Sequence, residues 1–183
     1  MKKILFILIA AVTLNSTVHA QNYLTKNGTI TFFSKTSMEN IEAINSQVLS
    51  VLNAKNGELA FSVIVKGFLF KKALMQEHFN ENYMESDTYP KSTFKGAITD
   101  ISKVNFTKDG TYPVSVKGDL TIHGVTKNTT TPGTVTIKAG KVSAAADFIV
   151  TLADYKISIP KVVENNISPT IKISVACDYM PKN

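Results

Sequence analysis

TIKISVACDY, residues 170–179, decides the fold class. Ile171, Ile173, Val175, Cys177 and Tyr179 alternate with Thr170, Lys172, Ser174, Ala176 and Asp178 over ten residues. Successive side chains of an extended strand point to opposite faces, so this stretch has one apolar face and one polar face and reads as a half-buried strand. The same period recurs upstream. Leu59, Phe61, Val63 and Val65 alternate with Glu58, Ala60, Ser62 and Lys66, and Ile64 alone spoils the outer face. Tyr112, Val114, Val116, Leu120 and Ile122 share a face opposite Ser115, Lys117, Asp119 and Thr121. Gly118 falls on the inward side, where a missing side chain predicts a bend or bulge.

Shorter strands are predicted at residues 29–34, 47–52, 93–98, 104–106, 134–138, 142–151 and 155–159. Asn56-Gly57, Asp109-Gly110, Pro132-Gly133 and Ala139-Gly140-Lys141 separate them with residues that tolerate positive φ or fix a turn. Two stretches break the period. Phe70, Leu74, Met75, His78, Phe79 and Tyr83 recur at spacings of three to five, which predicts an amphipathic helix of about three turns. Residues 38–45 read as a further short turn of helix, with Ser37 as its N-cap. Many short strands with one or two short helices describe an all-β protein. An antiparallel sheet with one apolar face hides that face by closing into a barrel, and the helix can cover one end.

The chain has 183 residues, enough for one domain with a sizeable core. Lys2 and Lys3 precede the apolar run 4–12, and Val18-His19-Ala20 offers small residues at a cleavage point, so residues 1–20 read as a secretory signal. The domain then spans residues 21–183, exported to the periplasm or the medium. About eleven apolar residues are too few for a helix across a ~30 Å hydrocarbon core, so no integral membrane insertion is expected. Without Lys2 and Lys3, eighteen lysines face fourteen carboxylates, a net charge of +4. There is no Arg, and the lysines are scattered, which argues against a nucleic-acid partner. Cys177 is the only cysteine, which excludes an intrachain disulfide, and it lies on the apolar face of its strand. A homodimer is compatible with this composition.

The sequence offers little reactive chemistry. His78 and His123 are the histidines beyond the signal, and neither has a partner at a metal-binding spacing, so no metal or other cofactor is expected. Glu77, Glu81, Glu85 and Asp87 near His78 have the look of a solvated helix face. No nucleophile elbow and no phosphate-binding glycine loop occurs. No catalytic residue is assigned, and an enzyme would have to use His78 or His123 with nearby acids. What remains is apolar surface, including nine phenylalanines between Phe32 and Phe148. A filled core is their plainest explanation. An eight-stranded barrel, however, is of the size at which the interior either packs solid or holds one small ligand. At about 0.8 kcal/mol per buried CH₂, ten carbons would contribute roughly 8 kcal/mol before association costs.

Two segments, MQEHFNENYMESDTYPKSTFKG at residues 75–96 and GDLTIHGVTK at residues 118–127, resemble the YceI-like family of secreted bacterial lipid- or polyisoprenoid-binding proteins. His78, Phe79, Asp87, Tyr89, Pro90 and Phe94 match the first motif. Gly118, Leu120, Thr121, Gly124, Val125, Thr126 and Lys127 match the second. Lys71-Lys72 stands where the family has R-D, and residues 37–46 lack its early His and Gly pattern, marking a divergent subgroup. The resemblance implies a lipocalin-like antiparallel barrel with a helix near its mouth and an isoprenoid or other lipid inside, bound, transported or stored without catalysis. The expected lining is Phe32, Leu59, Phe61, Val63, Phe68, Phe70, Phe79, Phe94, Val114, Val116, Leu120, Ile122, Phe148, Ile171, Ile173 and Val175. A solid-core scaffold that engages partners through exposed strand edges is the alternative.

Overall fold

The computed structural model describes residues 22–182; the expected signal, residues 1–20, lies outside them. Among the described residues there are nine strands: β1 (Asn22–Lys35), β2 (Asn40–Asn53), β3 (Glu58–Ile64), β4 (Leu69–Phe70), β5 (Lys91–Ile98), β6 (Gly110–Ile122), β7 (Val125–Lys138), β8 (Lys141–Thr151) and β9 (Thr170–Lys182). Eight pair antiparallel in the order β1-β9-β8-β7-β6-β5-β3-β2, and β2 pairs again with β1, so the sheet closes into a barrel. The two-residue β4 adds only to β2, through Ala43↔Phe70 and Ile44↔Leu69. The strands predicted at 29–34, 47–52, 93–98, 134–138 and 142–151 are parts of β1, β2, β5, β7 and β8.

Antiparallel order gives the barrel two unlike ends. Connections 36–39, 65–90, 123–124 and 152–169 gather at one end, the mouth, and connections 54–57, 99–109 and 139–140 at the other, the floor. The helix α1 (Ala73–His78) lies in the long mouth connection and runs into a wider π turn, Phe79–Tyr83, where the Met84 amide donates to the Phe79 carbonyl at 2.9 Å. It is shorter than the predicted helix because Phe70 belongs to β4.

Three predicted elements are corrected. Residues 40–45 are the start of β2, not a helical turn. Ile41, Ala43 and Asn45 point inward, but a register slip against β1 near Gly28 moves the inward set to Val48, Ser50 and Leu52. The helical spacing of Met38, Ile41 and Ile44 arises because Met38 and Ile44 are apolar but exposed, and of the three only Ile41 faces inward. It is Thr36, not Ser37, whose hydroxyl organises the preceding turn, accepting from the amides of Met38 and Glu39 at 3.2 and 3.0 Å. Residues 104–106 are not a strand. They follow the 3-10 turn Ile101–Lys103, and Val104 and Phe106 tuck under the floor, with Phe106 stacked on Tyr23 at 5.6 Å. Residues 155–159 are also not a strand. They leave the 3-10 turn Leu152–Tyr155, and buried Tyr155 and Ile157 wedge beneath the mouth.

The floor is the solid part of the core. Tyr23, Leu52, Leu59, Ile98, Val104, Val135, Ile137, Val142, Cys177 and Tyr179 pack together there. Cys177 is a free thiol whose burial pushes its pKa up to about 11, which keeps it protonated and inert at neutral pH. Burial likewise raises the Tyr179 phenol, and the hydroxyls of Tyr179 and Ser50 lie 2.7 Å apart. Tyr179→Phe leaves Ser50 buried without its partner. The expected cost is about 1–2 kcal/mol, which a melting curve would register as a fall of roughly 3–6 °C.

Candidate functional site

Above the floor the interior is not filled. A cavity of about 600 Å³ extends toward the mouth, within the range of small-molecule sites. The inward positions of the strands line it because their period-two faces converge there. Phe32 of β1, Leu59, Phe61 and Val63 of β3, Phe94 of β5, and Val114, Val116, Leu120 and Ile122 of β6 all reach it. So do Phe148 of β8 and Ile171, Ile173 and Val175 of β9, together with Phe68, Phe70 and Phe79 from the mouth connection. Every residue of the expected lining therefore borders one space.

Four rings gather at the mouth. Phe79, brought inward by the π turn, lies 5.4, 5.7 and 5.0 Å from the ring centres of Phe32, Phe68 and Phe70. Lower down, Gly96 of β5 and Gly118 of β6 are cross-strand partners, and the edge of Phe94 covers both. A Cβ on Gly118 would sit 2.5 Å from the Gly96 Cα and 2.7 Å from the Phe94 ring. The glycine pair thus makes room for a phenyl group laid along the wall, rather than the bend that Gly118 predicts.

Charge at the mouth is neutralised locally. Lys72 donates to Glu39 at 3.0 Å, and Asn166 does so at 3.4 Å. The Lys72 ammonium hydrogen-bonded to Glu39 holds that carboxyl below the usual carboxylate range. These two are the charged residues among the lining, beside the imidazole of His78.

The two histidines do not meet. His78 borders the mouth, whereas His123 is packed outside the cavity at the β6–β7 turn. Its Nδ1–H donates to the Tyr155 carbonyl at 3.1 Å, its Nε2 lies 3.5 Å from Glu85, and the Tyr89 ring stands edge-on at 4.7 Å. Tyr89 also leaves no room for a Cβ at Gly124, whose φ is +70°. Asp87 pairs with Lys66 at 2.6 Å, and the Pro90 carbonyl accepts from the Val65 amide at 3.0 Å. Tyr89 on Gly124 thus ties the 65–90 connection to the 123–124 turn, and Asp87 and Pro90 close the 65–90 connection on itself. Among the described residues, no group of three or more His, Cys, Asp or Glu could hold a metal ion.

Some lining residues escaped the sequence reading. Thr129, Thr131 and Gly133 occupy the inward positions of the first half of β7, and Ala144 and Ala146 those of β8. The only signal for them was register from the recognised half of β7, residues 134–138, since none of the three on β7 is apolar. Ile41 was hidden in the stretch read as a helical turn, and Ile157, Val163 and Ile167 lie on the irregular mouth connection.

A family model described as a YceI-like domain matches residues 11–179. A solved polyisoprenoid binding domain from Saccharophagus degradans, implicated in plant cell wall breakdown, is 15% identical with a TM-score of 0.78. The match covers 90% of this chain and all of that one. BcnA of Burkholderia cenocepacia is 16% identical with a TM-score of 0.67, covering 84% of this chain and 96% of its own. The Campylobacter jejuni YCEI protein is 13% identical with a TM-score of 0.51, covering 97% and 91%. At such identities the likeness is one of fold. Among curated proteins none matches the sequence.

Proposed function

The chain belongs to the YceI-like family, and from that membership and the shape of its interior we propose that it binds a long apolar ligand, a polyisoprenoid or another lipid, inside the barrel. It acts without catalysis, as a carrier or store, in the periplasm or outside the cell. The observation that carries this reading is the unfilled space of about 600 Å³ walled by phenyl and aliphatic groups. A scaffold held up by its core alone has no use for such a void, because each unfilled volume forfeits packing energy. The polyisoprenoid ligand of the Saccharophagus domain supports the choice of ligand class. The separation of His78 from His123 favours a binder over an enzyme built on both imidazoles. Among the described residues no helix is long and apolar enough to cross a membrane.

Purified protein examined by native mass spectrometry, before and after organic extraction, tests this. A copurifying lipid, or uptake of one molecule per chain from a graded series of polyprenols, is expected. Empty protein that takes up none of the series would sink the reading.

A further inference from the structure

We propose that a gap in the barrel wall between β7 and β8 seats the polar end of the ligand, and that this end is an uncharged hydrogen-bonding group, a hydroxyl or carbonyl. The inference rests on the lipid-binding reading and deepens it. The β7–β8 ladder runs only from Thr134↔Ala145 to Lys138↔Lys141. β7 continues to Val125 against β6, and β8 continues to Thr151 against β9, but over residues 125–133 and 146–151 the two strands do not pair with each other. Their facing edges therefore carry backbone N–H and C=O groups without ladder partners.

The cavity reaches this gap. Gly133, Ala144 and Ala146 keep the wall thin, and even Thr134 and Ala145, whose Cβ atoms point outward, border both the cavity and a concavity on the outer surface. Thr129 and Thr131, on the unpaired stretch of β7, border the cavity from its inner side. On the outer face of β7, Thr136 pairs with Thr111 at 3.3 Å and Thr126 with Thr121 at 2.8 Å. Thr129 and Thr131 instead face Gly118 and Val116 on β6, which offer no side-chain partner. Hydroxyls turned into an oily space are costly unless something bonds them. An alcohol or carbonyl at the end of a threaded chain would do so. A phosphate or carboxylate would not fit, because Lys72 is taken up by Glu39, and Lys127, at the mouth end of β7, lies 3.9 Å from Asp154.

Three C20 branched-chain probes that share one carbon skeleton test this: phytane, phytol and phytanic acid. Dissociation constants would be measured by native mass spectrometry for the wild type and for Thr129→Val/Thr131→Val, a change that keeps shape and β-propensity. The wild type is expected to hold phytol about tenfold more tightly than phytane, and phytanic acid no better than phytane. The double variant should lose that tenfold preference for phytol over phytane, and a cooperative melting curve like that of the wild type shows that it is folded. A variant that keeps its preference for phytol, or a wild type that prefers the acid, overturns the proposal while leaving the cavity reading intact. A wild type that takes up none of the three overturns both.

Discussion

Ala146→Trp is expected to abolish uptake of a long-chain ligand while leaving the barrel folded. Ala146 is an inward position of β8, paired with Val175 and two residues from Phe148, and its Cβ borders the cavity. An indole placed there occupies space that four or five methylene groups of the ligand would otherwise fill. At about 0.8 kcal/mol each, losing them weakens binding by roughly 3–4 kcal/mol, or about 100- to 1,000-fold. Because the indole fills a void and does not compress a packed core, the melting temperature should hold or rise. The chain has no other Trp, so the fluorescence of the new residue reports whether it sits in an apolar setting. Wild-type affinity in a variant with buried, blue-shifted emission would place the ligand somewhere other than the barrel interior.

Gly118→Val should cause the largest loss of stability. The added Cβ would meet the backbone of the next strand, the Lys95 carbonyl and the Gly96 Cα, as well as the Phe94 ring. Phenyl rings can rotate away, but two hydrogen-bonded strands cannot separate without breaking the β5–β6 ladder at Gly96↔Gly118. The expected cost is about 4 kcal/mol or more, which for a domain of this size lowers the melting temperature by roughly 10–15 °C. Gly118→Ala should show most of this loss, since the clash begins at Cβ. As a contrast, Gly140→Ala has nothing within 4 Å and should cost only about 1 kcal/mol, from its φ of +75°. Equal melting curves for the 118 and 140 variants would show that the close approach of the two glycines is not real.

The barrel was legible wherever a strand faces packed or apolar surroundings along its whole length. β3, β6 and β9 read plainly because their inward positions are mostly Leu, Phe, Val, Ile and Tyr, with Gly118 and Cys177 as interruptions. The strand residues expected to line the cavity came together because alternation assigns each to a face and closure makes all those faces one interior, whereas Phe68, Phe70 and Phe79 reach it from the mouth connection. The first half of β7 was unreadable for the opposite reason. Its inward residues are Thr129, Thr131 and Gly133, so no hydrophobic period exists to detect. At the start of β2 the spacing of Met38, Ile41 and Ile44 mimics a helical turn because Met38 and Ile44 are apolar yet exposed, and the slip between Asn45 and Val48 then switches the inward parity. The alternations Val104/Phe106 and Tyr155/Ile157 come from loops folded under the two ends, which bury side chains as strands do but pair with nothing. The motif residues Tyr89 and Gly124 could be matched by eye, yet nothing in their separate positions announced that one packs on the other.

The ring is sealed by its most distant strands: Asn22 lies opposite Lys182, and Phe32 opposite Ile173. Joining segments so far apart along the chain carries a large loop entropy, and sheets with such distant pairings fold slowly, in milliseconds to seconds. While an emerging polypeptide still lacks β9, the other seven long strands can zip as neighbouring antiparallel pairs, but β1 and β8 are left as bare edges and the phenyl groups stand open to water. The interior becomes a compartment only when the final thirteen-residue strand docks. Chain termination or proteolytic loss in that strand would therefore leave an open, adhesive sheet and not a leaky carrier.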